Sequence, residues 1–180
     1  EEGLWKNIAF FLKRVIPVAE ECGVIMALHP DDPPYPIFGL PRVVTCEENL
    51  DRYLSIVDSP SNSLCLCTGS LGCRKGNDIP YLVRKYSALN RIGFMHLRNV
   101  RILEDGSFEE SGHWTGEGSL DMNAIVKALV ETGFEGWFRP DHGRDIWGEG
   151  GRPGYGLFDR ALGTAYINGL IEANGGRLEG

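Results

Sequence analysis

Hydrophobic positions along the chain fall into two alternating patterns. From Leu4 to Cys22 the apolar residues Leu4, Ile8, Phe11, Leu12, Val15 and Ala19 recur at helical spacing, and Gly23 follows where a C-terminal glycine belongs. The spacing predicts an amphipathic helix, with Pro17 a candidate kink because proline has no N–H to donate. Residues 24–28 are a continuous apolar run halted by His29-Pro30-Asp31-Asp32-Pro33-Pro34, which reads as a strand buried on both faces that opens into a polar loop. The same grammar recurs three times. A helix over 47–57 leads to a strand over 64–67 and a loop Thr68-Gly69-Ser70, and a helix over 79–89 leads to a strand over 92–97. After a long loop, a helix over 122–132, opened by Asp121 or Ser119, leads to a strand over 136–141. A last helix is predicted over 157–173.

Strands that alternate with helices at this spacing imply βαβ units and a parallel sheet. Four such units preceded by an orphan helix amount to half of a (β/α)8 barrel, so the chain is expected to lack a preceding portion. An open four-stranded sheet is the alternative that periodicity leaves standing. Composition narrows the function classes. The 180 residues are 42% hydrophobic and 24% charged, which is ordinary globular composition. A net charge of −7, with no basic run longer than Arg74-Lys75, argues against a nucleic-acid partner. No apolar stretch approaches the roughly 20 residues that span a bilayer, and the acidic start is the wrong flank for a signal peptide, so a soluble cytoplasmic protein with no membrane partner is expected. The five cysteines form no C-x-x-C pair, which argues against a disulfide framework and against a four-thiolate zinc site.

Candidate chemistry collects at the strand ends. His29, Cys67, His96 and Asp141 each lie at the C-terminal end of one predicted strand, and in a parallel barrel those ends meet around a single mouth. Two imidazoles, a thiolate and a carboxylate can bind a divalent transition metal and leave positions for substrate oxygens. Taken singly, a strand-end histidine is more often structural, a buried cysteine is a small apolar filler, and an aspartate caps a turn. Together they require four coincidences at equivalent places in successive units. His142 is a candidate general acid or base, against the alternative of an exposed loop histidine. Tyr155 is a candidate phenolic proton donor, against packing on the rim. Arg98 and Arg139 are candidates for a substrate carboxylate, against ion pairing within the protein. His113, in the long loop, is a weaker candidate for a substrate contact. Gly69, Gly72 and Gly76 form no G-x-G-x-x-G fingerprint and no helix is expected to open on them, so no phosphate cradle is read there.

At these residues the chain resembles the mannonate dehydratase family. The resemblance is carried by His29-Pro30-Asp31-Asp32-Pro33-Pro34 with Gly39-Leu40-Pro41-Arg42, by Cys67-Thr68-Gly69-Ser70, by His96-Leu97-Arg98, and by Arg139-Pro140-Asp141-His142-Gly143 with Pro153-Gly154-Tyr155. It implies a xylose-isomerase-like TIM barrel and a hydro-lyase that dehydrates D-mannonate to 2-dehydro-3-deoxy-D-gluconate in hexuronate (glucuronate) catabolism, using Mn2+ or Fe2+. It further implies that His29, Cys67, His96 and Asp141 hold the metal while His142 and Tyr155 move protons. Ligand softness pulls the other way, since a thiolate favours Zn2+ or Fe2+ over Mn2+. Members of that family are longer, so residues 1–180 are expected to form the C-terminal half of one barrel domain that acts on a small sugar acid. Two alternatives are a metal-dependent sugar isomerase on the same barrel and a metal-binding fragment whose open sheet edges favour homo-oligomers.

Overall fold

Helix α1 (Glu2–Glu21) runs without interruption through Pro17 in the computed structural model of the protein, which describes residues 1–177. Then follow β1 (Met26–Leu28), α2 (Glu47–Ile56), β2 (Asn62–Cys67), α3 (Thr68–Gly72), α4 (Ile79–Ala88) and β3 (Ile92–His96). After these come β4 (Val100–Ile102), β5 (Phe108–Glu110), α5 (Met122–Glu131), β6 (Trp137–Arg139) and α6 (Leu157–Ala173). Side-chain caps open three of the helices, with Cys67 accepting from the Ser70 N–H at α3. Asp78 accepts from the Tyr81 N–H at α4, and Asp121 accepts from the Ala124 N–H at α5. Asp121 is therefore the cap rather than Ser119, whose hydroxyl instead accepts from the Ile102 N–H.

The main sheet is four-stranded and wholly parallel, in the order β1-β2-β3-β6. Each new strand is added on the same side of its predecessor. Right-handed crossovers that always step in one direction leave their helices on one face, which is the winding of a barrel arc and not of a doubly wound open sheet. The core lies between sheet and helices. Leu64 and Leu66 of β2 and Met95 of β3 are buried together with Leu12 and Ile16 of α1, Leu50 and Tyr53 of α2, Leu82 and Tyr86 of α4, and Ile125 of α5. Register places Cys65, Phe94 and Trp137 side by side, and likewise Cys67, His96 and Arg139. With the two-residue period of a strand, all six occupy the face turned away from the core.

Three expectations need correction. The first strand is only three residues long, and Val24 and Ile25 are 47% and 58% exposed rather than buried. The reason is position: β1 is a sheet edge, so its run of apolar residues has a paired neighbour on one side alone among the described residues. Thr68-Gly69-Ser70 is not a loop but the start of the buried five-residue helix α3, so a helix does open here, at Thr68, with Gly69 in its first turn. Inside the long predicted loop stands a small antiparallel hairpin, with Val100 opposite Glu110 and Ile102 opposite Phe108. No helix among the described residues is long and apolar enough to cross a membrane.

Candidate metal centre

Cys67 closes β2 and His96 closes β3 in register with it, His29 directly follows β1, and Asp141 lies just beyond β6. Parallel pairing thus carries four donor side chains to one rim. One ligand-capable atom from each lies within 4.8 Å of all the others. Three of the four are secluded, Cys67, His96 and Asp141 being 0%, 6% and 4% exposed, while His29 is not buried.

Local contacts orient each donor. His29 Nδ1 stands 2.7 Å from the Pro30 carbonyl, so the proton belongs on Nδ1 and the Nε2 lone pair is left open. The Ser70 N–H and hydroxyl both donate to Cys67 Sγ, at 3.4 and 3.1 Å, because α3 turns back over its own N-cap. His96 Nδ1 stands 3.3 Å from Asp141 Oδ1 but lacks the alignment of a hydrogen bond, and it is a buried nitrogen with no partner. Asp141 takes a left-handed backbone, φ +66°, which aspartate tolerates better than most residues. Arg139 donates to its Oδ1 at 2.6 Å.

The electrostatics agree with a cation site. Burial pushes Asp141 up, yet the neighbouring His96, His142 and Arg139 outweigh it and hold the carboxyl well below the usual range. Burial lowers His29, in part offset by the Pro30 carbonyl, so this imidazole is neutral as a ligand must be. Burial also works against charge on His96, but Asp141 and Cys67 raise it, which marks a place where positive charge is favoured. Two imidazole nitrogens, one sulfur and one carboxylate, with a buried nitrogen unpartnered, fit a divalent transition metal. Cys65 stays apart from this chemistry, since burial pushes its thiol up to about 12.

Beside the cluster, His142 places Nε2 at 3.9 Å from Asp141 Oδ2 and Nδ1 at 2.7 Å from Glu110 Oε1. Its ring lies 5.4 Å from that of Tyr155. A backbone stitch brings Tyr155 there: the Gly143 N–H donates to the Gly154 carbonyl at 3.0 Å and the Gly156 N–H to the Gly143 carbonyl at 2.9 Å. Only glycine suits the stitch. A Cβ on Gly143 would lie 2.6 Å from the Gly156 carbonyl oxygen, and one on Gly156 would overlap the Arg144 carbonyl.

The other two candidates are occupied within the protein. Arg98 is 3% exposed and its Nε, Nη1 and Nη2 are all bonded to Glu110 or Asp32, so its charge is paired within the protein. His113 is 1% exposed, its Nε2 stands 2.8 Å from the Pro140 carbonyl, and Gly163 of α6 packs on its ring, so it supports the Pro140-Asp141 segment. Arg139 remains about half exposed while bonded to Asp141. Glu110 was not singled out by the sequence, where it is one acid of the pair Glu109-Glu110 with no motif around it. Burial would raise it, but His142 and Arg98 hold it low, so it is a carboxylate.

Comparison with known proteins assigns the neighbourhood. Residues 1–177 match the family model described as D-mannonate dehydratase (UxuA). A mannonate dehydratase of Lachnoclostridium phytofermentans is 56% identical over 170 residues, which are 94% of this chain and 48% of that protein. The crystal structure of mannonate dehydratase from Streptococcus suis serotype 2 superposes with a TM-score of 0.94 at 48% identity, covering 99% of this chain and 52% of that one. A xylose isomerase-like TIM barrel protein from Mycobacterium smegmatis, in complex with magnesium, superposes at a TM-score of 0.68 and 16% identity, over 97% of this chain and 52% of its own, and shows the fold alone. The sheet is thus an arc of a TIM barrel, and the chain spans about half the length of the curated relatives it matches.

Proposed function

Because the chain belongs to the D-mannonate dehydratase family, we propose that it is the C-terminal half, residues 1–180, of a barrel whose whole protein dehydrates D-mannonate to 2-dehydro-3-deoxy-D-gluconate. In this reading the protein is a cytoplasmic hydro-lyase of hexuronate catabolism, a homo-oligomer is compatible with it, and His29, Cys67, His96 and Asp141 hold Mn2+ or Fe2+. The observation that supports it most is the convergence of those four donors within 4.8 Å at the mouth of the sheet.

Loss of water from a sugar acid needs a proton removed next to a carboxylate and a hydroxyl expelled from the adjacent carbon. A bound divalent ion supplies Lewis acidity for the charge that develops on the substrate's oxygens. The chain's own residues do the rest. His142 and Tyr155, rings 5.4 Å apart beside the cluster, hold and move the two protons. Arg139, beside Asp141 and half exposed, offers the remaining guanidinium edge to the substrate carboxylate. The 0% exposure of Cys67 and 4% exposure of Asp141 keep bulk water from the ligand side of the site.

The test is mass spectrometry of the product formed from D-mannonate by the full-length protein. A product lighter by one water supports the dehydratase, whereas an isomer of unchanged mass would replace it with an isomerase. In the same protein His142→Asn should keep its metal and lose turnover roughly 10²–10⁴-fold, the usual contribution of a positioned acid or base; undiminished turnover would remove His142 from the mechanism.

A further inference from the structure

Three of the four polar directions of the Glu110 carboxylate are spent on two neighbours, and the pattern decides which histidine nitrogen faces the site. Arg98 Nη2 donates to Oε1 at 2.5 Å and Arg98 Nε to Oε2 at 3.1 Å, the two-pronged fork that fixes a carboxylate in its plane. Arg98 is itself immobilised. Its backbone N–H donates to Thr68 Oγ1 at 2.9 Å, its Nη1 reaches Asp32 at 2.7 Å, and its aliphatic stem lies where a side chain on Gly69 would have to be. Glu110 is anchored from the other side by the hairpin, in register with Val100. The remaining contact is His142 Nδ1, 2.7 Å from Oε1.

We infer that Glu110 is a positioning residue for His142: this fixed carboxylate accepts the Nδ1 proton and so leaves Nε2 as the proton-transferring atom turned toward the four donors. A carboxylate offers only acceptors, so the facing nitrogen must carry hydrogen. The opposite nitrogen then bears the lone pair, and it is the one 3.9 Å from Asp141 Oδ2. The arrangement has the logic of a carboxylate that orients a catalytic imidazole and fixes its tautomer. Arg98 completes the chain of command by preventing the carboxylate from swinging away. The inference rests on the reading of His142 as a proton-transfer residue.

The experiment uses the full-length protein, wild type and Glu110→Gln, an isosteric change that keeps the shape of the hairpin but leaves one acceptor oxygen where the carboxylate serves three N–H donors. Turnover should fall at least about tenfold, with KM within about twofold and the metal content unchanged, because the loss is one of orientation at the reacting atoms. Nitrogen-detected NMR of the zinc-loaded, diamagnetic protein, with the His142 signal identified by its loss in His142→Asn, reads the tautomer directly. The wild type should show hydrogen on Nδ1, and Glu110→Gln a shift toward hydrogen on Nε2. A wild-type His142 protonated at Nε2 alone, or a tautomer and turnover untouched by Glu110→Gln, would overturn the assignment. A fall in turnover matched by an equal loss of metal would also overturn it, by giving Glu110 a merely structural role. Absence of dehydration in the wild type would remove the dehydratase reading alone, since the tautomer measurement still decides the part played by Glu110.

Discussion

Replacing Arg98 by methionine removes one charge from a place where two others depend on it. Arg98 is 3% exposed, and its Asp32 and Glu110 partners are each 27% exposed, so none of the three is well solvated. Methionine keeps most of the unbranched stem, so the packing against Gly69 survives, and the loss is that of the guanidinium with its ion pairs and its place over the Phe108 ring. Removing one partner of a buried ion pair costs about 3–5 kcal/mol, because the other is left uncompensated. Carboxylates that retain about a quarter of their exposure can recover part of their hydration, which places the expectation near ~3 kcal/mol, at the lower end of that range. In a barrel about twice the length of this chain each kcal/mol is about 1–2 °C in Tm, so Arg98→Met should unfold roughly 3–6 °C below the wild type by calorimetry. Adding Glu110→Gln to Arg98→Met should restore part of the loss, since the stranded charge is then gone. A decrease under about 2 °C would refute the reasoning, by showing that solvent already satisfies both carboxylates.

Cys67→Ser should lower the metal that survives dialysis, measured by elemental analysis, because a hydroxyl is a poor substitute for a thiolate donor; full stoichiometric metal in this variant would exclude the sulfur as a ligand. Asp159 is 0% exposed; burial would raise its carboxyl, but Arg144 more than compensates and holds it below the usual 3.8. A depressed folded-state value stabilises fully above the unfolded value and is lost as pH falls through the folded one. The wild type should therefore exceed Asp159→Asn in Tm at pH 7 by a margin that shrinks below pH 3.8, and a margin independent of pH would contradict the pairing. Gly156→Ala drives a methyl into the Arg144 carbonyl, which is backbone and cannot step aside. It should cost about 1–3 kcal/mol and, by moving Tyr155, reduce turnover at least about tenfold with metal retained; normal kinetics would show that the stitch does not place Tyr155.

Much of this arrangement was legible in the residues themselves. The four donors stood out because a parallel sheet delivers every strand end to one rim, so position in the repeat already implies proximity in space. The alternation of helix and strand gave the barrel arc for the same reason. What stayed hidden depends on contacts between segments distant in sequence. Arg98 and His113 have the chemistry of ligand-binding residues, and only the folded chain reveals that Glu110, Asp32 and the Pro140 carbonyl already occupy them. The hairpin was missed because each strand is three residues long and half polar, although Asp105-Gly106 at its tip is a recognised turn signal. Exposure of Val24 and Ile25 could not be foreseen from an apolar run, since burial depends on whether another strand lies alongside.

The Gly143 stitch has a bearing on how the protein can change over generations. Its hydrogen bonds join the two ends of the segment between His142 and Gly156, so the positions of His142 and Tyr155 are set at the base and not by what lies further out. Glu149, which accepts from the Leu157 N–H, ties down the near part of the excursion, while Gly150 and Gly151 are exposed and a side chain there would meet nothing. Extra residues inserted at that point should be tolerated, because lengthening a closed loop costs only about 0.6 kcal/mol per doubling. The tip is thus free to diversify toward new substrates or neighbours while the proton-handling pair beneath it stays unchanged.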